Sequence, residues 1–169
     1  MDPRQYPIGT YSHEGPVSDT QLDAWIGQIE ALPAHFADAA RGLSPERLDA
    51  PYRPGGWTRR QVIHHVPDSH LNAYVRFKWA LTEDEPTIKA YDEVAWAELP
   101  DVRSVPMETS LAMLSALHAR WTGLLRGLSA EQWDRALVHP VGGRMPLRWM
   151  AGMYAWHGRH HLAHLLLDD

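Results

Sequence analysis

The sequence predicts an all-α protein, a four-helix bundle with long crossover connections. Four segments of the 169-residue chain repeat apolar residues three and four positions apart, which is the spacing of an amphipathic helix. Only one segment, around residues 138–146, has the pattern of a hairpin, with Gly142-Gly143 at its centre. Long helices with long connections and little strand signal are typical of helical bundles.

The first long helix is predicted to begin after Ser18, because Gln21 three residues later completes a capping-box pattern. Pro33 lies inside it and is expected to bend or divide it. Ser44 followed by Pro45 predicts a short helical turn, since proline suits the first helical position. The apolar stripe of the first helix contains Leu22, Trp25, Ile29, Leu32 and Phe36.

The second long helix is predicted to begin at a second capping box, Thr58 with Gln61, and to continue to about Leu81. Residues 51–56, rich in proline and glycine, form the loop before it. Pro67 lies inside this helix, where it removes one backbone N–H and predicts a kink.

The second half of the chain begins with a polar stretch, residues 82–106, that shows no clear period and predicts a long connection. The third helix is predicted over about 107–128, and Ser129 begins another short turn. The fourth helix begins near Leu147 and continues almost to the C-terminus. The stripe of the third helix contains Leu111, Leu114, Leu117, Trp121, Leu124 and Leu128.

Composition restricts the possible classes of protein. A chain with 44% apolar and 22% charged residues is ordinary for one soluble globular domain, predicted over residues 1–169. The net charge of −5 argues against a non-specific nucleic-acid binder. No membrane span and no secretory signal are recognised, so a cytoplasmic location is expected. With no cysteine, the chain has no disulfide, thiolate ligand or cysteine nucleophile of its own.

The most informative segment lies in the fourth helix, where four histidines fall within eight residues, 157–164. His157 and His161 are four residues apart, so they lie one above the other on a helix and can chelate one cation. They also continue the core-facing stripe of that helix, which contains Leu147, Met150, Tyr154, His157, His161 and His164.

A third ligand is predicted from the second helix. His65 lies on the stripe that also contains Val62, Ser69, Ala73 and Phe77, so it faces the core. Three histidines on a divalent ion leave at least one coordination position open, as catalytic sites require. There the ion can bind water, whose pKa then falls to about 7, or an anionic group.

The other histidines and charged residues have weaker signals. His64 and His160 are interpreted as outward neighbours or as groups behind the ligands. Asp68, one turn after His65, is interpreted as a surface carboxylate rather than a catalytic base. Four further histidines are interpreted as hydrogen-bonded core or surface residues: His13, His35, His118 and His139. Four arginines could either anchor an anionic cosubstrate or be ordinary surface charges: Arg53, Arg60, Arg76 and Arg159.

The chain resembles the DinB-like metalloproteins, and within them the YfiT branch. Pro67 departs from the pattern, because an ordinary helix former is expected there. The matching segments, in order over nearly the whole chain, are residues 51–58, 60–65 and 68–70, Tyr91-Asp92-Glu93 with Trp96, His118 with Arg120-Trp121-Thr122, Trp156-His157, His160-His161 and His164.

This resemblance implies a four-helix bundle that holds a divalent metal through His65, His157 and His161, the same three residues that the stripes select. It also implies a homodimer. Members of the branch are described as metal-dependent hydrolases. Others in the wider family use thiols such as bacillithiol or mycothiol to modify electrophiles or to isomerise a substrate.

Three functions are therefore considered. We expect first a metal-dependent enzyme that transfers a low-molecular-weight thiol to an electrophilic small molecule, with zinc or nickel as the ion. The alternative is hydrolysis by metal-bound hydroxide. The third is a metal-binding stress-response protein without catalysis. No nucleic-acid or membrane partner is expected.

Overall fold

The computed structural model describes residues 2–168, and four long helices form its framework. The elements in chain order after a short 3-10 helix (Pro3–Gln5) are α1 (Asp19–Arg41), α2 (Pro45–Asp49), α3 (Arg59–Thr82), α4 (Glu93–Ala97), α5 (Asp101–Ser104), α6 (Met107–Arg126), α7 (Ala130–Trp133), β1 (Ala136–His139), β2 (Gly143–Pro146) and α8 (Leu147–Leu166). The two strands pair antiparallel as the predicted hairpin, the only sheet within residues 2–168. The all-α fold class is therefore confirmed.

The predicted helix starts are confirmed by their capping hydrogen bonds. The Ser18 hydroxyl accepts from the Gln21 N–H at 3.1 Å. At Thr58 both halves of the capping box form, since Gln61 donates its N–H to the Thr58 hydroxyl and accepts from the Thr58 N–H. Neither Pro33 nor Pro67 divides its helix: α1 and α3 are continuous through both prolines.

The four long helices form a bundle in which the first and second long helices, and likewise the third and fourth, occupy opposite corners. α1 packs against α6 and α8, and α3 packs against the same two helices. α1 and α3 therefore lie diagonally, as do α6 and α8. The connections from α1 to α3 and from α6 to α8 must cross one end of the bundle, which explains why short helices and the hairpin occupy them.

A polar layer separates two apolar clusters inside the bundle. On α3, Val66 belongs to the cluster that also contains Phe36, whereas Phe77 belongs to the cluster around Trp121. His70 lies between these positions and His65 immediately precedes Val66. On α8, His157 and His161 lie between Ala155 and Leu165, which belong to the same two clusters. We call this segment the histidine layer; it contains His65, His70, His118, His157 and His161. Both helices are fixed by apolar packing above and below it, so its geometry is constrained from two sides.

The connection between α3 and α6 is more ordered than its sequence suggests. It contains two short helices, α4 and α5, where no period is visible in the sequence. Hydrogen bonds join it to the hairpin, since Ile88 donates its N–H to Val138 O and Val138 donates to Pro86 O, each at 3.0 Å. Among the described helices, none has both the length and the apolar character needed to cross a membrane.

Candidate metal centre

His65 from α3 meets His157 and His161 from α8 inside the bundle. One ring nitrogen from each of the three lies within 4.8 Å of the others. The Nε2 atoms of His65 and His157 are 3.4 Å apart. Two nitrogens bound at about 2.1 Å to one tetrahedral ion are separated by about 3.4 Å, so this spacing fits a shared metal.

The three imidazoles are neutral, as metal ligands must be. Burial lowers the pKa of His65 to about 4. Burial also holds the pKa of His157 and His161 well below the usual value, and the neighbouring histidines lower it further. Three uncharged donors without a compensating carboxylate would leave a bound divalent ion with its full charge.

A chain of hydrogen bonds behind His157, which we call a relay, determines which ring nitrogen of His157 is free to bind a metal. His118 Nδ1 is 2.6 Å from the carbonyl of Ile29, which can only accept, so His118 donates there. His118 Nε2 must then accept from His70 Nδ1 at 2.8 Å. His70 Nε2 in turn accepts from His157 Nδ1 at 3.1 Å. His157 is therefore protonated on Nδ1, and its Nε2 lone pair points to His65.

A shorter relay has the same effect on His161. His164 Nε2 lies 3.4 Å from the carbonyl of Gln5 and donates to it. His164 Nδ1 then accepts from His161 Nδ1 at 3.3 Å. This leaves the Nε2 lone pair of His161 for a metal. The ring of Tyr52 stacks on His164 at 4.0 Å and holds its plane.

Trp57 forms one wall of the centre. Its ring lies 4.7 Å from that of His65 and 6.4 Å from that of His161, centroid to centroid. Because Trp57 immediately precedes the N-cap of α3, the capping box that starts the helix also fixes this wall. Its apolar ring shields the two imidazoles from water.

A second group of histidines shares one member with the first. His160, His161 and His164 also bring three nitrogens within 4.8 Å. His160 is buried, because Trp156 stacks on it at 4.6 Å and Tyr6 lies 5.6 Å away. Of its two interpretations, the outward-facing one is therefore wrong, whereas its ring lies 5.0 Å from that of His161, as expected for a group behind a ligand. This group lies on one helix, whereas His65, His157 and His161 join two helices.

We call His65, His157 and His161 the histidine trio. These three residues line a cavity of about 670 Å³. This volume holds considerably more than a water molecule. Its polar lining includes Ser69, Arg76 and Tyr91, and its other walls are mainly aromatic. The carboxylate among its lining residues is that of Glu93, which is exposed. The cavity is therefore suited to a small organic molecule placed beside a metal.

Other candidates from the sequence lie outside this cavity. Asp68 is not among its lining residues, and burial together with Asp101 raises the pKa of its carboxyl to about 6. Arg60 pairs with Asp49 at 2.6 Å. Arg159 donates to the carbonyl of Ala155 in its own helix. Of the four arginines considered, Arg76 is the one in the cavity wall.

His70, for which no role is predicted from the sequence, is fully buried at the centre of the relay. The sequence does contain a signal that His70 faces the core. Val66, His70, Ala73 and Phe77 are four, three and four residues apart and form a second core-facing stripe. His64 is also buried and contacts Ser110 through Nδ1 at 2.7 Å, so it does not face outward.

Fold and site together define a class of protein: helical bundles in which histidines from two helices converge so that they could hold a metal ion. The chain belongs to the DinB superfamily, whose family model matches residues 28–165.

Similar proteins match this chain over almost its whole length. A Bacillus cereus protein and a Bacillus anthracis protein, both named "Putative metal-dependent hydrolase", are 50% identical to it over 165 residues, which is 98% of this chain and 95% of theirs. The structure of YfiT from Bacillus subtilis, described as "a probable metal-dependent hydrolase with an unusual four-helix bundle topology", is 45% identical. It matches with a TM-score of 0.94 over 97% of this chain and 94% of that one.

A more distant structure shows how widely the fold is used. A mycothiol-dependent maleylpyruvate isomerase matches with a TM-score of 0.60 at 18% identity. The match covers 82% of this chain and 60% of that protein. At this identity the likeness concerns the fold alone.

Proposed function

We propose that the protein is a metal-dependent enzyme that transfers a low-molecular-weight thiol to an electrophilic small molecule. His65, His157 and His161 would hold one divalent ion, with zinc or nickel as the first candidates and cobalt or copper compatible with the same donors. The observation that carries this proposal is the opening of the histidine trio onto a cavity large enough for organic reactants. The names of the relatives support the metal dependence.

When bound, the ion supplies positive charge that lowers the pKa of a thiol and favours its thiolate at neutral pH. The protein holds the imidazoles in position through the two relays and limits water with Trp57. In the transfer, the thiolate sulfur forms a bond to the electrophilic carbon. The bond from that carbon to its leaving group breaks, the leaving group keeps the electron pair, and the thiol proton passes to solvent.

A thiol nucleophile suits the cavity better than water does. Metal-dependent hydrolysis commonly uses a carboxylate as general base beside the activated water. The lining carboxylate here is that of Glu93, which is exposed to solvent. A thiol needs no such base, because its pKa is already close to neutral before activation. Since the chain has no cysteine, the thiol must come from a cosubstrate.

Hydrolysis is the second candidate, and the names of the relatives at 50% identity favour it. It predicts turnover of an ester or amide in the absence of any thiol. A metal-binding protein without catalysis would show neither reaction while still holding the ion.

The test compares alkylation of bacillithiol by monobromobimane with hydrolysis of p-nitrophenyl acetate, each with and without zinc or nickel. We expect metal-dependent formation of the fluorescent thioether with release of bromide, and loss of this rate in His157→Ala. His35→Ala is the matched control, because His35 is an exposed histidine on α1, and it should retain the rate. Metal-dependent ester cleavage without thiol acceleration would replace transfer with hydrolysis.

A further inference from the structure

Arg76 lies in the wall of the same cavity, on the same side of α3 as His65. It follows His65 by about three helical turns, so the two positions share a helix face. Helical side chains lean toward the N-terminus, which directs that of Arg76 toward His65. Ser69, which lies between them in sequence, also lines the cavity. A molecule lying along this face can reach both the histidine trio and the guanidinium.

The guanidinium of Arg76 is positioned by neutral groups. Its Nη1 donates to the Tyr154 hydroxyl and its Nη2 to the carbonyl of Lys89, each at 3.2 Å. The ring of Tyr91 lies 5.9 Å from its Cζ. Burial raises the pKa of Tyr91 to about 12 and also raises that of Tyr154, so both phenols stay uncharged at neutral pH. Neither supplies a negative charge.

Arg76 has an unused donor and no counter-ion within the described part of the chain. Its Nε is buried without a hydrogen-bond partner. No carboxylate among residues 2–168 forms an ion pair with it, whereas Arg60, Arg144 and Arg148 each pair with one. A half-buried guanidinium left in this state is stabilised by an incoming anion, and carboxylates match its donor geometry.

We propose that the cavity selects small molecules carrying a carboxylate, which the guanidinium of Arg76 binds while the reacting group lies at the histidine trio. This inference rests on the proposed function for the place of the reacting group. It narrows the substrate class to anionic reactants. It also explains why a cation is kept in the wall of a cavity that would hold a metal.

The test uses cobalt-substituted protein and two thiols of equal length. Mercaptohexanoate carries a carboxylate at the end opposite its sulfur, and mercaptohexanamide carries a neutral amide there. Titration is followed by the sulfur-to-cobalt charge-transfer band. We expect wild type to bind the carboxylate at least about 10-fold more tightly than the amide, the size of effect typical of a hydrogen bond to a charged group.

Arg76→Gln should reduce this preference to less than about 3-fold while leaving the Kd of the amide unchanged. Arg159→Gln removes the same charge from the exposed face of α8 and should retain the full preference. Equal binding of both thiols by wild type overturns the inference, and so does a preference that persists in Arg76→Gln.

If the proposed thiol transfer is wrong, neither thiol produces the sulfur-to-cobalt band. This result differs from a failure of the Arg76 inference, in which both thiols produce the band with equal affinity. When neither thiol produces the band, Arg76 is tested by calorimetric titration of zinc-loaded protein with adipate and with its monoamide. Wild type should prefer adipate and Arg76→Gln should not. If the two proteins bind adipate equally, Arg76 does not recognise the anion.

Discussion

His70 Nε2 lies 3.1 Å from His157 Nδ1, and this contact between the buried His70 and the half-buried His157 determines how His157 can act. Because the relay behind it ends at the Ile29 carbonyl, each proton in it has one possible place. His157 is left with a lone pair on Nε2. The two apolar clusters that enclose the histidine layer therefore support the chemistry of the site as well as the stability of the fold.

Removing the relay should weaken metal binding without removing a ligand. His118→Leu leaves His70 Nδ1 without its acceptor, and we expect the Kd for zinc to rise about 10- to 100-fold. His118→Gln keeps an acceptor and should recover part of the affinity. The measurement is competition with a chromophoric chelator, with circular dichroism to verify folding. Equal affinity in His118→Leu and wild type would show that the relay does not position the ligand.

The tautomers themselves can be read by nitrogen-15 NMR of the histidine rings. We expect His157 to carry its proton on Nδ1 in wild type and to become a mixture of tautomers in His118→Leu. A proton on Nε2 of His157 in metal-free wild type would contradict the relay directly.

Replacing Asp68 by Asn should stabilise the protein near neutral pH. The folded-state pKa of Asp68 is raised from 3.8 to about 6, so folding favours its protonated form. Its ionisation lowers stability as pH rises from about 4 to 6, and this loss is complete at pH 7. With allowance for solvent screening, we expect Asp68→Asn to gain about 1 kcal/mol in free energy of unfolding at pH 7.

Urea denaturation of both proteins at pH 4 and pH 7 measures this effect. The gain should be small at pH 4, where wild-type Asp68 is already protonated in the folded state. A larger gain at pH 4 than at pH 7 would mean that the sign of the pKa shift is wrong.

Metal binding should stabilise the fold by mass action. At a free zinc concentration of about 100 times Kd, the free energy of unfolding should rise by about 2.7 kcal/mol, and a chelator should reverse the gain. Thermal unfolding with and without zinc measures it. His161→Ala should show no gain, whereas His35→Ala should respond like wild type. A zinc response in His161→Ala equal to that of wild type would place the ion elsewhere.

Gly152 lies where α8 packs closely against Trp25 of α1. A Cβ atom there would lie 2.7 Å from Cη2 of Trp25, a rigid ring that cannot move aside. We expect Gly152→Ala to lose about 1–2 kcal/mol, because overpacking exceeds the helix-propensity gain of about 1 kcal/mol. Gly123→Ala, on α6 with no atom within 4 Å of the added carbon, should instead be neutral or stabilising. Chemical denaturation compares the two, and a stable Gly152→Ala would refute the close packing.

The sequence alone predicted the four long helices, the hairpin and the meeting of His65 with His157 and His161. Those features depend on local signals: capping boxes at Thr58 and elsewhere, and stripes at helical spacing. The helices α4 and α5 were missed because their stability comes from tertiary contacts rather than from a visible period.

The relays were missed for a different reason. The contact of His70 with His118 depends on how α3 and α6 are aligned, and that of His164 with Gln5 depends on where the N-terminal segment lies. No pattern within one helix contains this information. The burial of His160 under Tyr6 has the same origin.

The central claim is that His65, His157 and His161 hold one metal ion, and the zinc content of two variants tests it most directly. His161 belongs to both histidine groups, so the informative pair is His65→Ala and His160→Ala. Each protein is saturated with zinc, desalted and analysed for its metal-to-chain ratio. We predict a ratio near one for wild type and His160→Ala and near zero for His65→Ala. Loss of zinc in His160→Ala with retention in His65→Ala would contradict the proposed centre and assign the ion to His160, His161 and His164.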